Sequence, residues 1–135
     1  MLHIPAKLLA FVLSLAIAPA ALAGTPVTPG ELASLLARGQ EQRPLVLDVR
    51  TPEEYADGHV PGAVLIPHDQ LATRLDALDR DRPIVVYCRT GRRSGLAETL
   101  LRQHGHEVSQ LQGSWLGWQA AGLEFQTSPQ QDASP

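Results

Sequence analysis

Ile84-Val85-Val86-Tyr87-Cys88-Arg89-Thr90-Gly91-Arg92-Arg93-Ser94 is the stretch on which the fold turns. Its first four residues form a short apolar run rich in β-branched side chains, the composition of a strand without a wet face. From Ser94 to His104 the spacing changes: Leu96, Leu100 and Leu101 fall on one side of a helix that Gly105 ends. A buried strand, a short polar loop and a helix in direct succession form the first half of a parallel βαβ unit.

The same alternation extends in both directions. Upstream, Leu45-Val46-Leu47-Asp48-Val49 reads as a strand buried on both faces, and Val64-Leu65-Ile66 as a shorter one between Pro61-Gly62 and Pro67. Thr28-Pro29-Gly30-Glu31 and Thr51-Pro52-Glu53-Glu54 both have the form of a capping box with proline at the first helical position. They predict helices over about Pro29 to Arg38 and from Pro52 to Gly58. Leu71 to Leu78 reads as another helix, closed by the charged turn Asp79 to Arg82. Downstream, Val108 to Leu111 is a last strand and Trp115 to Ala121 a last short helix. The expectation is an α/β domain with a mainly parallel central sheet of about five strands and helices on both faces. No internal repeat is present.

Length and composition narrow the function classes. The chain has 135 residues, a net charge of -3 and a single cysteine. That charge argues against a nucleic-acid binder, and one cysteine excludes an intramolecular disulfide framework. Near the N-terminus, Lys7 precedes the eleven-residue apolar run Leu8 to Ala18, followed by Pro19 and by Ala21-Leu22-Ala23 before Gly24. This is the layout of a cleavable secretory signal over residues 1–23, since a membrane span needs about 20 apolar residues. Export to the periplasm, with no membrane attachment after cleavage, is therefore expected. The remaining cations are all arginine. The domain is expected over 24–125, and the Gln-, Ser- and Pro-rich 126–135 as a disordered tail.

The chemistry centres on Cys88. It sits where a strand ends, and in parallel sheets the crevice beyond the carboxyl ends of the strands is where ligands bind. Arg89, Arg92 and Arg93 put three positive charges near the sulfur, and the following helix offers free N–H groups; both favour thiolate. Gly91 permits a positive φ, so that successive amides turn inward around an anion. A nucleophilic sulfur inside an anion cradle implies an anionic substrate or adduct. The bland alternative is a buried cysteine acting as a small hydrophobe beside a solvated arginine turn. The conjunction of strand, cysteine, glycine loop and helix favours the functional reading.

At these residues the chain resembles the rhodanese-type sulfurtransferases, in which the nucleophilic cysteine opens a six-residue loop, here Cys88 to Arg93. The resemblance extends to Asp48-Val49-Arg50, Glu54-Tyr55 and Gly58-His59-Val60-Pro61-Gly62-Ala63, and to Gly113-Ser114-Trp115-Leu116-Gly117-Trp118 with Ala121-Gly122-Leu123. Ser114 departs from the family's second glycine, in a turn distant in sequence from Cys88. With the signal, the chain is similar to small exported single-domain rhodaneses of the phage-shock-protein type. The resemblance implies that Cys88 takes the sulfane sulfur of thiosulfate as a persulfide and passes it to cyanide or a thiol. The loop Arg89, Thr90, Gly91, Arg92, Arg93 and Ser94 would bind donor and persulfide, and Asp48 and Arg50 would brace the sheet. It also implies a monomer that needs no metal or organic cofactor.

Two rivals remain at this stage. A phosphatase or arsenate reductase on the same fold needs arginine six residues after the cysteine, where this chain has Ser94. A persulfide carrier without turnover would need the same loop as the enzyme. Weaker features read as structural: His104 and His106 as a surface pair, His59 and His68 as turn residues, Trp115 and Trp118 as packing, and Glu53 and Glu54 as first-turn carboxylates favoured by the helix dipole.

Overall fold

The computed structural model describes residues 24–129. The signal assigned to 1–23 and the end of the expected tail lie outside the described residues. Both predicted capping boxes are formed. Thr28 Oγ1 accepts the Glu31 N–H at 3.1 Å while the Glu31 carboxylate accepts the Thr28 N–H at 3.0 Å, starting α1 (Pro29–Leu36). Thr51 and Glu54 repeat the exchange at 3.2 and 3.3 Å and start α2 (Pro52–Asp57). Each pair satisfies amides that a helix start leaves without partners.

The sheet contains β1 (Leu45–Asp48), β2 (Val64–Leu65), β3 (Ile84–Tyr87) and β4 (Val108–Gln110), in the order β2-β1-β3-β4. All three pairings are parallel, with Leu45 opposite Ile84 and Asp48 opposite Tyr87. The expected five strands are thus four, because the fifth position is filled by a single bridge. Val27 pairs with Leu111, donating to the Gln110 carbonyl and accepting from the Gln112 N–H, both at 2.8 Å. Thr28 and Pro29 then turn the chain into α1 before a strand can extend.

Alternate strand residues divide the core between two faces. Leu45, Leu47, Ile84 and Val86 pack with Leu71, Ala97 and Leu101; Val46, Val85 and Tyr87 pack with Leu32, Trp115 and Trp118. The first face is covered by α3 (Arg92–Gln103), the second by α1 and α4 (Ser114–Ala120). Trp115 and Trp118 are core residues, as expected.

Three sequence expectations change. The helix expected over Leu71 to Leu78 is two short 3-10 turns, Leu71–Thr73 and Leu75–Ala77. Thr73 Oγ1 donates to the Gln70 carbonyl, a local bond that competes with the helical ladder. Next, α3 begins at Arg92, so Arg92 and Arg93 belong to its first turn and not to the loop. Finally, order continues past the boundary expected at Gln126. Gln126 exchanges two 2.9 Å backbone hydrogen bonds with His59, and the Ser128 N–H donates to the Ala56 carbonyl. Backbone pairing, which composition does not report, holds this polar segment.

Candidate active site

The site lies at the carboxyl end of β3. Cys88 follows the strand directly and is 1% exposed. The chain then turns through Gly91, whose φ of +119° a side chain would resist, and enters α3. The turn directs the Gly91 N–H at Sγ, 3.0 Å away, while Ser94 Oγ lies 3.4 Å from the sulfur. In the thiol form S–H donates to Ser94 Oγ, whose own hydrogen goes to the Gly91 carbonyl at 3.1 Å. Burial alone pushes the Cys88 thiol up. The Ser94 hydroxyl and the amides of Ser94, Gly91 and Thr90 outweigh it, and the net shift is downward, toward thiolate.

Loop amides thus turn inward on the sulfur, but the arginines are placed differently than their spacing suggests. Arg89 and Arg92 are exposed. Arg93 is bound by Glu54 of α2 through two bonds, Nη1 to Oε1 at 2.6 Å and Nη2 to Oε2 at 3.0 Å. Hydrogen bonds, more than guanidinium charge, stabilise the sulfur anion. The Arg93 bonds are the main reason that the Glu54 carboxylate is lowered to about 2. Sequence reading placed Glu54 only at a helix start; its partner lies 39 residues away.

Behind the loop, Asp48 and Arg50 form a buried ion pair. Arg50 Nη2 donates to Asp48 Oδ2 at 2.7 Å and Nε to Oδ1 at 3.0 Å, with side chains 2% and 0% exposed. The remaining capacity is also used. Tyr87 Oη donates to Asp48 Oδ2 and Arg50 Nη2 to the Gly58 carbonyl, both at 2.7 Å. The Arg50 guanidinium sits 4.7 Å from the Trp115 ring centre, a cation–π contact. Burial opposes the Arg50 charge, but Asp48 raises the guanidinium pKa above its ordinary value. A Cβ at Gly58 would come within 2.9 Å of Trp115, so the close approach requires glycine. Trp115 in turn donates its backbone N–H to the Cys88 carbonyl at 2.9 Å, which links the ion pair to the nucleophile's backbone. Asp48 and Arg50 thus support the site from behind rather than line it.

Ser114 has a place that its sequence distance hides. It takes φ +53° after Gly113 at +73°, and its Oγ accepts the Cys88 N–H at 3.4 Å. The turn is remote in the chain but adjacent to Cys88 in the fold. Of the two histidines expected in turns, His68 lies in one, whereas His59 forms an isolated bridge with Gln126. His59 is buried and stacks on Tyr55 at 3.6 Å, with Nδ1 2.7 Å from the Tyr55 carbonyl oxygen. His68 lines the cleft over Cys88. Of the expected surface pair, His104 is exposed but His106 is buried, and burial lowers its pKa. Among the described residues no cluster of three or more His, Cys, Asp or Glu side chains is arranged to hold a metal, and no helix is long and apolar enough to cross a membrane.

The cleft over Cys88 has a volume of about 380 Å³ and is lined by His68, Thr90, Arg92, Arg93 and Leu96 as well as the cysteine. A hollow of about 390 Å³ lies at the opposite end of the strands, between residues 40–44 and 79–83, and carries no nucleophile. The cleft at Cys88 is therefore the candidate active site.

The profile of the rhodanese-like domain matches residues 28–121. The chain is 39% identical over 80 residues to a protein named sulfurtransferase from Allochromatium vinosum, covering 58% of this chain and 75% of that protein. It is 41% identical over 110 residues to the HTH-type transcriptional regulator Rv0324 of Mycobacterium tuberculosis, covering 80% of this chain; it spans 49% of that regulator's length. Among solved structures, the Alr3790 protein from Anabaena sp. superposes with a TM-score of 0.70 at 32% identity, covering 76% of this chain and 83% of that one. A rhodanese-like domain protein from Staphylococcus aureus gives 0.66 at 29% identity, covering 77% and 99%. The strand order, the loop around Cys88 and the match over 28–121 agree: the chain belongs to the family of rhodanese-like domains.

Proposed function

We propose that the protein is an exported thiosulfate sulfurtransferase that works through a persulfide on Cys88. The observation that carries this reading is the sulfur at the carboxyl end of β3, stabilised as an anion by the Ser94 hydroxyl and by the amides of Thr90, Gly91 and Ser94. The Cys88 thiolate attacks the outer sulfur of thiosulfate. The sulfur–sulfur bond of the donor breaks, sulfite leaves with the electron pair, and Cys88 carries a persulfide. Cyanide or a thiol then attacks the outer sulfur and releases the Cys88 thiolate, in two half-reactions of a covalent mechanism. The amides that favour the thiolate also hold the anionic persulfide. Exposed Arg89 and Arg92 attract the dianionic donor.

The position of Arg93 supports sulfur over phosphate chemistry. An oxyanion-gripping arginine must face the nucleophile's ligand with both amino groups free, whereas Arg93 spends both on Glu54. The reading places the protein in the periplasm as a monomer, with no resident cofactor, metal or nucleic-acid partner.

Mass spectrometry after incubation with thiosulfate tests it directly. One added sulfur on Cys88, removed by cyanide, is expected; an unmodified protein refutes the persulfide. Continuous thiocyanate production then distinguishes a catalyst from a carrier, which would stop after a single stoichiometric transfer.

A further inference from the structure

The cleft over Cys88 holds one imidazole, and the chemistry described so far does not use it. The backbone brings His68 there. Ile66 N–H donates to the Asp48 carbonyl at 3.0 Å and His68 N–H to the Val49 carbonyl at 3.1 Å. The segment after β2 therefore continues beside the end of β1, next to the strand that delivers Cys88. His68 is exposed to solvent and shares the cleft with Cys88, Thr90, Arg92, Arg93 and Leu96.

The proton requirements of the two half-reactions differ. Loading from thiosulfate consumes a thiolate and releases sulfite, so no proton moves. Discharge to a thiol begins with an S–H bond, and the thiol sulfur becomes a strong nucleophile only once that proton is removed. The cleft groups other than His68 are poorly suited to carry it. Guanidinium groups only donate, so Arg92 and Arg93 cannot accept a proton, and a Thr90 hydroxyl does not ionise near neutral pH. Glu54, the carboxylate bound to Arg93, is lowered to about 2 and stays ionised. Histidine is the side chain that takes up and returns a proton near neutrality.

We propose that His68 is the acid–base residue of discharge to thiols. This inference rests on the Cys88 persulfide of the proposed function. The imidazole removes the proton of the incoming thiol, and the resulting thiolate sulfur forms a bond to the outer persulfide sulfur. The bond from that sulfur to Cys88 breaks, with its electron pair left on Cys88. The imidazolium returns its proton to the transferred sulfur. One thiol and one persulfide anion become one acceptor persulfide and one Cys88 thiolate, with atoms, protons and charge balanced and no outside oxidant or reductant. Sulfite as acceptor, the reverse of loading, arrives as an anion and needs no such step.

The test uses the full protein loaded with thiosulfate, its persulfide verified by mass, and single-turnover discharge to 2-mercaptoethanol or to sulfite near pH 8. In His68→Ala and His68→Gln, discharge to the thiol is expected to slow roughly 100-fold, the usual scale of a positioned acid–base group. Discharge to sulfite is expected to stay within about twofold, and free imidazole to restore part of the thiol rate in His68→Ala. Equal thiol rates in wild type and variants overturn the proposal. Equal slowing toward both acceptors also overturns it, since His68 then shapes the loop rather than moving a proton. Failure of the wild type to load refutes the persulfide itself, and the loading measurement separates that result from failure of the His68 step.

Discussion

The Cys88 N–H donates to the hydroxyl of Ser114, a residue 26 positions further along the chain. This bond and the Trp115 N–H on the Cys88 carbonyl hold both peptide groups of the nucleophile against the start of α4. The serine also sits in the left-handed region, φ +53°, where glycine would be unstrained.

Substitution separates the two effects. Ser114→Gly relieves a backbone cost of about 1 kcal/mol but leaves the buried Cys88 N–H without its acceptor, a cost of about 1–3 kcal/mol. Ser114→Ala keeps the strain and loses the hydroxyl. The expected order of thermal stability is wild type, then glycine, then alanine. An alanine variant as stable as wild type would show that the 3.4 Å contact contributes nothing.

Cys88→Ser is expected to abolish persulfide formation while keeping the fold, because serine nearly matches the buried side chain in volume. Loss of the added sulfur in mass spectrometry, with an unchanged circular dichroism spectrum, is the expected pair of results. Sulfur transfer by this variant contradicts the mechanism.

The Glu54–Arg93 pair gives stability a definite pH dependence. Arg93 lowers the folded-state Glu54 carboxyl to about 2, below the ordinary carboxylate value that the unfolded chain retains. The unfolded state thus binds the proton first, so the stabilisation is complete above the ordinary value and is lost as pH falls toward 2. Glu54→Gln is expected to remove this part of the acid dependence. Denaturant titrations of both proteins between pH 6 and pH 2.5 measure it; parallel profiles would assign the pair no role.

Arg89, Arg92 and Arg93 are expected to act unequally on thiosulfate. Arg89 and Arg92 are exposed, whereas Arg93 is already matched by Glu54. Neutralising Arg92 by Arg92→Gln should raise the KM for thiosulfate severalfold and reduce its salt dependence. Glu54→Gln, by freeing Arg93, should lower that KM. Unchanged kinetics in both variants would leave the arginines as scaffolding.

Asp48→Asn tests the brace behind the loop. It leaves Arg50 charged and buried with its main partner neutralised, and breaking such a pair costs about 3–5 kcal/mol. A large drop in melting temperature is expected, with loss of activity following loss of fold. A variant as stable as wild type would mean that Gly58, Tyr87 and Trp115 alone satisfy the guanidinium.

Local signals in the sequence determined much of this protein. Thr28 with Glu31 and Thr51 with Glu54 announce two helix starts because a capping box is made within four residues. The apolar runs at 45–49 and 84–87 announce buried parallel strands, and Cys88 before Gly91 announces an anion-binding turn. These features depend on neighbours in the chain, so their spacing suffices. Tertiary structure alone decided the rest. It cut the sheet to four strands and a bridge and paired Gln126 with His59. It bound Arg93 to Glu54, brought Ser114 to the Cys88 backbone and carried His68 into the cleft. Each of these joins segments separated by a crossover or a long loop, and the geometry that selects such partners exists only once the strands have paired.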